Sequence, residues 1–264
     1  MNAPAARRPP QRWLVYELLR REISRRYAGS VSGLAWTLLQ PLAQLAIFSL
    51  VFSLIFRATV PAAYPGVSYM AFVAVALWPW IMFSEAIQQG MASVAANAGL
   101  IRKVALPSEV FVYAAVGACC AVHLAGFIGV LVVLRIAGEA IHLSGIPLAV
   151  LLLLPYALLA GAIALVLAAL QTLLKDVEHA TGLVLSIVFY ATPILYPLTL
   201  VPPAWRGVFS FNPLAYLTGR LRDALLGEPS LRLADLAVLA ACGLAFALAL
   251  WVFRRLSPYF EDFL

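Results

Sequence analysis

The chain has 264 residues, of which 64% are hydrophobic and only 11% are charged, and its formal net charge is +6 at pH 7. A soluble domain carries roughly 25% charged residues, so this composition excludes a soluble globular protein and indicates an integral membrane protein. The three cysteines, Cys119, Cys120 and Cys242, fall inside apolar stretches, where a thiol is typically a small packing residue. We assign them no chemistry.

The N-terminal segment, residues 1–30, contains the stretch RWLVYELLRREISRRY. At helical spacing, one side of this stretch presents Val15, Tyr16, Leu19, Ile23 and Tyr27. The other side presents Glu17, Arg20, Arg21 and Ser24. This pattern predicts an amphipathic helix that lies in the membrane surface on the cytoplasmic side.

The arginines of this predicted helix allow two interpretations. They either anchor the N-terminus by the positive-inside rule, or they contact the phosphates of a substrate or of lipid headgroups, because guanidinium groups match phosphate oxygens. The candidates for a phosphate or headgroup contact are Arg20, Arg21, Arg25 and Arg26.

Charge-free apolar runs predict six transmembrane helices in an all-α integral membrane protein. About 20 apolar residues cross the hydrocarbon layer, and a charged side chain at its centre costs roughly 2.5 to 3.5 kcal/mol. The predicted spans are 34–57, 67–90, 110–134, 146–174, 180–200 and 234–253. Six spans put both termini on one side, which then holds twelve of the 18 Lys and Arg residues, and the positive-inside rule makes that side cytoplasmic.

Two connecting segments interrupt the apolar pattern. The stretch 97–105, NAGLIRKVA, forms the cytoplasmic connection between the second and third spans, and it is either a hydrated loop or a functional part. The stretch 201–226, on the outer side, is half apolar but is broken by Pro202, Pro203 and Pro213. Its apolar pieces are too short to cross, so it predicts short re-entrant helices between spans five and six.

Aromatic residues are concentrated toward the predicted outer side. They are either the interfacial belt found in membrane proteins, or stacking surfaces at an exit pore that suit the flat C–H faces of sugars. The candidates for a glycan channel are Trp78, Trp80, Tyr190, Tyr196, Trp205 and Tyr216, with the basic residues Arg220 and Arg222. The two arginines would favour acidic sugars.

The sequence gives little support for a nucleotide-binding site or for an enzyme activity. The pattern G-x-x-x-x-G-K-[ST] is missing, so ATP-driven work requires a separate subunit. The stretch KDVEHA lacks the spacing of H-E-x-x-H, and we predict no catalytic residue and no metal ligand. His123 is expected to be packed or hydrogen-bonded, while Glu85 either faces the bundle interior or caps a helix.

A resemblance to a known family covers residues from about 17 to the C-terminus. It is carried, in order, by RRYAGSVSGLAWTLLQPLAQLAIFSLVFSLIF, LWPWIMFSEAIQQGMASVAANAGLIRKVALP, LLKDVEHATGLVLSIVFYATPILYP, FNPLAYLTGRLRDALL and RRLSPYFEDFL. These blocks resemble the permease subunits of bacterial ABC transporters that export O-antigen and capsular polysaccharides, with an ABC-2-type membrane domain. Exporters of other polymers, such as teichoic acid, share this architecture.

The resemblance implies a six-helix permease domain over residues 31–264 that pairs with a second copy of itself. Two separate ATPase subunits would bind ATP and Mg, so the chain needs no cofactor of its own, and we expect no nucleic-acid partner. The other implied partners are a lipid-linked polysaccharide that passes through a channel at the dimer interface, membrane lipids and a periplasmic adaptor protein. The implied location is the bacterial inner membrane.

Individual positions also match the family pattern. Gly33 and Trp36 match its Gly-x-x-Trp, Lys175 and Asp176 stand where Arg-Asp is usual, and the N-terminal amphipathic segment matches the cytoplasmic gate helix. The stretch between spans two and three matches the coupling helix that docks on the ATPase, and its candidate residues are Asn97, Gly99, Leu100, Ile101, Arg102 and Lys103. A secondary transporter is the remaining alternative, but it would be expected to place ionisable groups deep inside its spans.

Overall fold

The computed structural model describes residues 11–27, 33–101 and 106–262, and all regular secondary structure in these ranges is helical. The α-helices are α1 (Gln11–Tyr27), α2 (Gly33–Leu50), α3 (Tyr69–Ala96), α4 (Ala98–Ile101), α5 (Glu109–Ile136), α6 (Ile146–Leu173), α7 (Val177–Tyr190), α8 (Pro203–Ser210), α9 (Pro213–Leu226) and α10 (Leu233–Leu256). The predicted all-α class is confirmed.

Four helical segments in the described part are long and apolar enough to cross a bilayer. They are Tyr69–Ala96, Glu109–Ile136, Leu143–Leu173 and Leu233–Phe260, and they correspond to the predicted spans two, three, four and six. Two shorter apolar helices, Leu39–Ile55 and Val177–Tyr190, correspond to the predicted spans one and five.

The predicted bounds of spans one and five need correction. α2 ends at Leu50 and continues as a π-helix over Val51–Ile55. α7 ends at Tyr190, so the prediction of a helical span over 180–200 is wrong. Pro193 and Pro197 follow directly, and a proline lacks the N–H that would continue the helix and disfavours helical geometry in the residue before it.

The centre of the bundle is α3, most of whose length is buried, and it packs against α5 and α6. A Cβ on Gly90 of α3 would lie 2.7 Å from the Ala164 Cβ and 2.8 Å from the Val116 Cγ2. α6 and α10 approach closely at Gly161, where a Cβ would lie 2.9 Å from the Phe246 ring. Small residues thus allow these helices to approach, as is typical of packing in membranes.

The segment predicted as re-entrant forms two short helices, α8 and α9. Asn212 caps α9, since its side-chain oxygen accepts a hydrogen bond from the Leu214 N–H at 2.9 Å, and Pro213 opens the helix. α9 is buried along most of its length and packs against α3 and α6. A Cβ on Gly145 would overlap the Ala224 carbonyl, so only glycine permits this contact.

α1 packs along α5, and this contact changes the interpretation of its two faces. Leu18 and Glu22 are buried, whereas Tyr16, predicted on the apolar side, is 60% exposed. Leu19 lies over Gly117 of α5. The predicted apolar face is therefore wrong at Tyr16, because the stripe that α5 covers is centred on Leu18. Arg20 and Arg21 are exposed, while the side chains of Arg25 and Arg26 lie outside the described residues.

Candidate functional site

A trough lies between α2, α3 and α7, and most of the polar side chains that line it are uncharged, with Glu85 as the carboxylate among them. Two adjoining cavities of about 540 and 290 Å³ make up this space. Its amide and hydroxyl side chains are Gln40, Gln44, Ser84, Gln88, Gln89 and Ser186, and we call the surface that they line the polar trough.

Helical spacing places these polar groups on one surface. Gln40 and Gln44 are four residues apart on α2, as are Ser84 and Gln88 on α3, and residues at this spacing share a helix face. The Ser84 and Ser186 hydroxyls donate to carbonyls of their own helices at 3.1 and 2.9 Å. Gln40 and Gln88 remain exposed, so their amides present both donors and acceptors to the trough.

Aromatic rings form one wall of the polar trough. Phe48 of α2 stacks on Phe189 of α7 at a centroid distance of 5.9 Å, and Trp80 of α3 contacts the same ring at 5.6 Å. Tyr190, the last residue of α7, adjoins Phe189 at 5.0 Å and is 66% exposed. Aromatic faces beside amides give a surface that suits a polyhydroxylated ligand, because rings pack on C–H faces while amides bind hydroxyls.

Glu85 of the trough wall pairs with a buried histidine behind it. The His123 Nε2 and the Glu85 Oε2 are 2.6 Å apart, and His123 is 1% exposed. The Trp78 indole N–H donates to the His123 carbonyl at 3.0 Å. Cys119 is close enough to complete a three-ligand group within 4.8 Å. Two ligands of one zinc ion lie roughly 3.3 Å apart, so the 2.6 Å separation is typical of a hydrogen bond rather than of a metal centre.

The structure does not bring the six predicted channel aromatics together. Trp80 and Tyr190 line the polar trough, but Trp78 is buried against α5. The Tyr196 hydroxyl donates to the Tyr190 carbonyl at 2.5 Å. Trp205 is exposed on α8, and the remaining residue, Tyr216, donates to Asp235 at 2.7 Å. These six aromatics therefore do not form one cluster within a single copy of the chain, and their role in a glycan channel stays a prediction.

Arg222 of α9 is buried and bound to the backbone. Its guanidinium donates to the carbonyls of Phe72, Pro193 and Ile194 at 3.1, 2.7 and 2.6 Å. The same group lies 3.6 Å from the centroid of the Phe72 ring. Arg222 thus ties α9 to the start of α3 and to the turn that follows α7.

Arg220 is also buried, and its charge is matched by acids. It donates to both carboxylate oxygens of Asp235 at 2.8 and 2.9 Å, to Asp223 at 3.1 Å and to the Ser230 carbonyl. This burial contradicts the prediction that Arg220 and Arg222 present basic groups to a glycan. A buried cation is stable only when it is paired and hydrogen-bonded, so these two arginines are structural.

Tyr64, in the connection between α2 and α3, adds a further hydrogen bond to the side chains around Arg220. Its hydroxyl donates to Asp223 at 2.9 Å. Burial and the neighbouring Asp223 carboxylate raise the pKa of Tyr64 well above its ordinary value. The phenol therefore stays protonated and keeps this hydrogen bond at neutral pH.

At the opposite end of the bundle, α1 contacts the start of the predicted coupling segment. The Arg21 guanidinium donates to the Asn97 side-chain oxygen at 2.5 Å, and the Asn97 amide donates to the Ser93 carbonyl at 2.8 Å. α4 follows, with Ile101 buried, Leu100 half-buried and Gly99 exposed. Arg102 and Lys103 lie outside the described residues. The coupling and gate roles stay predictions.

A family model described as "ABC-2 type transporter" matches residues 14–226. The chain belongs to the ABC-2 type transporter family. It is 30% identical over 244 residues to an O-antigen export system permease protein of Myxococcus xanthus, which covers 86% of this chain and 88% of the relative. A Klebsiella pneumoniae protein of the same name is 26% identical, with 95% of both chains covered. The Escherichia coli polysialic acid transport protein is 23% identical, with 82% of both chains covered.

Membership of the ABC-2 family makes this chain an integral membrane subunit of a transporter and not itself an enzyme. The six polar residues of the trough are therefore part of a transport protein. These residues are uncharged and lie inside apolar runs, so a search of those runs for charges does not find them. The available signal was the repetition of Gln and Ser at a spacing of four residues in two separate apolar helices, at Gln40 and Gln44 and at Ser84 and Gln88.

Proposed function

We propose that this chain is the membrane-spanning permease of an ATP-driven exporter that moves a lipid-linked polysaccharide across the bacterial inner membrane. The observation that carries the proposal is the polar trough, a hydrogen-bonding, aromatic-walled surface inside an ABC-2 transporter subunit. The names of its relatives, which include O-antigen export and polysialic acid transport, agree with a glycan cargo. The lipid anchor would remain in the bilayer while the glycan follows the trough.

The proposed topology has six crossings with both termini in the cytoplasm. The crossings are α2 with its π-helical extension, α3, α5, α6, α7 and α10. α7 has only 14 residues, or roughly 21 Å of helix, which is shorter than the ~30 Å hydrocarbon layer. The turn after Tyr190, together with α8 and α9 as re-entrant helices, would complete the fifth crossing from the outer side.

The proposed assembly contains two copies of this chain, two ATPase subunits that bind ATP and Mg, and surrounding lipids, with a periplasmic adaptor as a further partner. The polar trough lies beside exposed apolar side chains of α2, such as Ile47 at 61% exposure, and a second copy facing it would turn an open trough into a channel. ATP-driven closure would enter through 97–105, and the Arg21 to Asn97 hydrogen bond would carry the movement to α1 as a rigid-body shift.

Transport by the assembled complex tests the proposal. The chain is co-expressed with its ATPase, reconstituted in lipid vesicles and supplied with a lipid-linked polysaccharide. We expect ATP-dependent passage of the glycan, and no passage when the ATPase carries a substitution of its P-loop lysine. Charge reversal at Arg102 and Lys103 should uncouple ATP hydrolysis from export. Proton-coupled transport by the chain without an ATPase would instead favour a secondary transporter.

The dimer is tested by cross-linking. In a variant whose three cysteines are replaced by alanine, Ile47→Cys should form a disulfide-linked dimer in membranes under mild oxidation. Leu244→Cys is the matched control, since Leu244 is 63% exposed on α10, away from the polar trough. Equal cross-linking at both positions would argue against an interface on the trough side.

A further inference from the structure

A second cavity lies between α6 and α7, on the face of α7 that points away from the polar trough. Its volume is about 500 Å³. Its walls are aliphatic side chains at helical spacing, and we call the space between them the apolar groove: Leu159, Ile163 and Leu167 of α6, and Ala180, Val184 and Val188 of α7. The trough is instead lined by Gly182, Ser186 and Tyr190 of α7, which lie on the opposite side of the helix.

Two polar side chains border the apolar groove among the described residues, and both are bound within the chain. The Thr181 hydroxyl donates to the Val177 carbonyl at 2.7 Å. Asn212, at the end of the groove, donates from its amide to the Ala191 carbonyl at 3.2 Å and to the Thr192 hydroxyl at 3.0 Å. The groove therefore offers hydrocarbon contact and little hydrogen bonding, and the ligand that suits it is apolar.

The size and position of the apolar groove match a single hydrocarbon chain. Phe83 and Ile87 of α3 form its buried floor, and Val184, which is 54% exposed, lies at its open side toward the bilayer. From Val177 to Val188 the α7 wall rises by roughly 16 Å, close to half of a ~30 Å hydrocarbon layer. A cavity of roughly 150 Å³ lined by Leu, Ile and Phe already takes up an apolar molecule, and close-packed interiors retain few larger voids. A space of this size beside lipid is therefore expected to be filled.

We propose that the apolar groove holds one acyl chain of a bilayer phospholipid, which packs against α7 opposite the polar trough. The groove is continuous with the lipid-facing surface of the same helix, where Leu183 and Ile187 are 65% and 59% exposed. The isoprenoid anchor of an exported glycan is a poorer match, because α7 itself separates the groove from the trough that the glycan would follow. This inference goes beyond the proposed function, and it holds whether or not a glycan is present.

A chain in the apolar groove also supports α7. This helix has only 14 residues, and both its trough face and its groove face border open space. Contacts with a hydrocarbon chain replace the helix packing that α7 lacks on the groove face. Occupancy of the groove thereby fixes the position of α7 and, with it, one wall of the polar trough.

The test uses the full chain in vesicles of phosphatidylethanolamine and phosphatidylglycerol. A trace of the phosphatidylethanolamine carries a photoreactive diazirine in the middle of one acyl chain. The protein is extracted into detergent, washed to remove loosely bound lipid, and only then irradiated, and mass spectrometry of its peptides locates the label. We expect the label on groove residues of α6 and α7 and little on α10, which presents exposed side chains such as Leu244 but does not line the groove.

Variants that fill the apolar groove should reduce the retained label. Val184→Trp places an indole in the groove from an exposed position, where a larger side chain does not disturb the core. Displacing about two methylene groups of a bound chain weakens its binding ~10-fold, and we expect the label to fall by that factor. Ala180→Phe should act in the same direction. Leu183→Trp is the matched control, because Leu183 is exposed on the same helix outside the groove, and it should keep the label.

Label that is retained on α6 and α7, lost in Val184→Trp and kept in Leu183→Trp supports the inference. Absence of retained label, equal label on α10, or unchanged label in Val184→Trp would overturn it, because the groove would then hold no lipid of its own. Displacement of the label by polyprenyl phosphate at a lower concentration than by unlabelled phosphatidylethanolamine would overturn it in favour of the isoprenoid anchor. A disulfide-linked dimer of Val184→Cys, in a chain whose native cysteines are replaced by alanine, would overturn it in favour of a second copy that covers the groove.

Discussion

The region around α9 and the polar trough both place polar side chains inside an apolar bundle, yet they use them in opposite ways. Around α9, the Arg220 and Arg222 guanidinium groups are 2% and 3% exposed, and their donors end on carboxylates and carbonyls. In the polar trough, Gln40, Gln88 and Ser186 remain exposed and are uncharged. Because its polar groups are paired with one another, the region around α9 holds helices together. Because its polar groups keep unused donors and acceptors, the polar trough can bind a ligand.

The type of residue is a weak guide to its role in this bundle. Arginine is a natural candidate for glycan contact, but a charge buried in a low-dielectric site needs partners before it is stable, and once paired it is no longer available. Glutamine and serine need less compensation, because part of their hydrogen bonding goes to their own helix while the rest faces the trough. Variants in the two regions should therefore separate stability from transport.

The largest effect is expected for Arg222→Met. The change keeps an apolar side chain of similar length but leaves three carbonyl groups without their donor, and it should destabilise the fold by about 3 to 5 kcal/mol. The measurement is thermal unfolding of the purified chain in detergent together with its yield from membranes. Arg135→Met at the exposed end of α5 is the control, and equal behaviour of the two variants would remove Arg222 from its structural role.

A smaller loss of stability is expected for Gly90→Val. The new side chain would meet Ala164 and Val116 at distances under 3 Å at its first carbon, and overpacking of this kind costs roughly 1 to 3 kcal/mol. Gly129→Val is the matched control on α5, since a Cβ there has open space. Thermal unfolding of the two variants side by side checks the prediction, and a Gly90 variant as stable as its control would contradict it.

For variants in the polar trough we expect a small effect on stability and a large effect on transport. Gln44→Leu combined with Gln88→Leu should change the stability by about 0.5 kcal/mol or less, since both side chains line the trough and only the long Gln88 to Ser84 hydrogen bond of 3.3 Å is lost, yet transport should fall several-fold. Vesicle transport and thermal unfolding are measured on the same preparation. Gln171→Leu, outside the trough on α6, serves as the control. Full transport by the double variant would exclude the trough as the glycan path.

A small effect on stability is also expected for Arg21→Ala. The hydrogen bond to Asn97 is exposed, so its loss should cost about 1 kcal/mol or less. If α1 and the segment 97–105 move together, the variant should nevertheless transport less glycan for each ATP hydrolysed. Arg20→Ala, exposed on the same helix, provides the comparison, and an unchanged ratio of transport to hydrolysis in the Arg21 variant would contradict the link.

Much of the fold could be predicted from the sequence, and less of the site. The long apolar helices were found close to their observed ends, because an uninterrupted apolar run reports directly on a lipid environment. The end of α7 was missed because Pro193 and Pro197 were read as part of an apolar run rather than as helix breakers. Of the predicted channel residues only Trp80 and Tyr190 reach the trough, since the side of a helix that faces a cavity depends on its neighbours.

By itself, the sequence determined that this is a helical membrane protein with the ordered motif blocks of an ABC-2 permease. Those are properties of composition and local pattern, to which lipid and helix geometry respond residue by residue. Only the tertiary structure decided which polar groups are paired and which remain open. The Arg222 guanidinium reaches the Phe72 carbonyl across 150 positions of sequence, and His123 meets Glu85 across 38. Contacts between such distant residues determine how a charged group is paired, and they form only when the helices pack together.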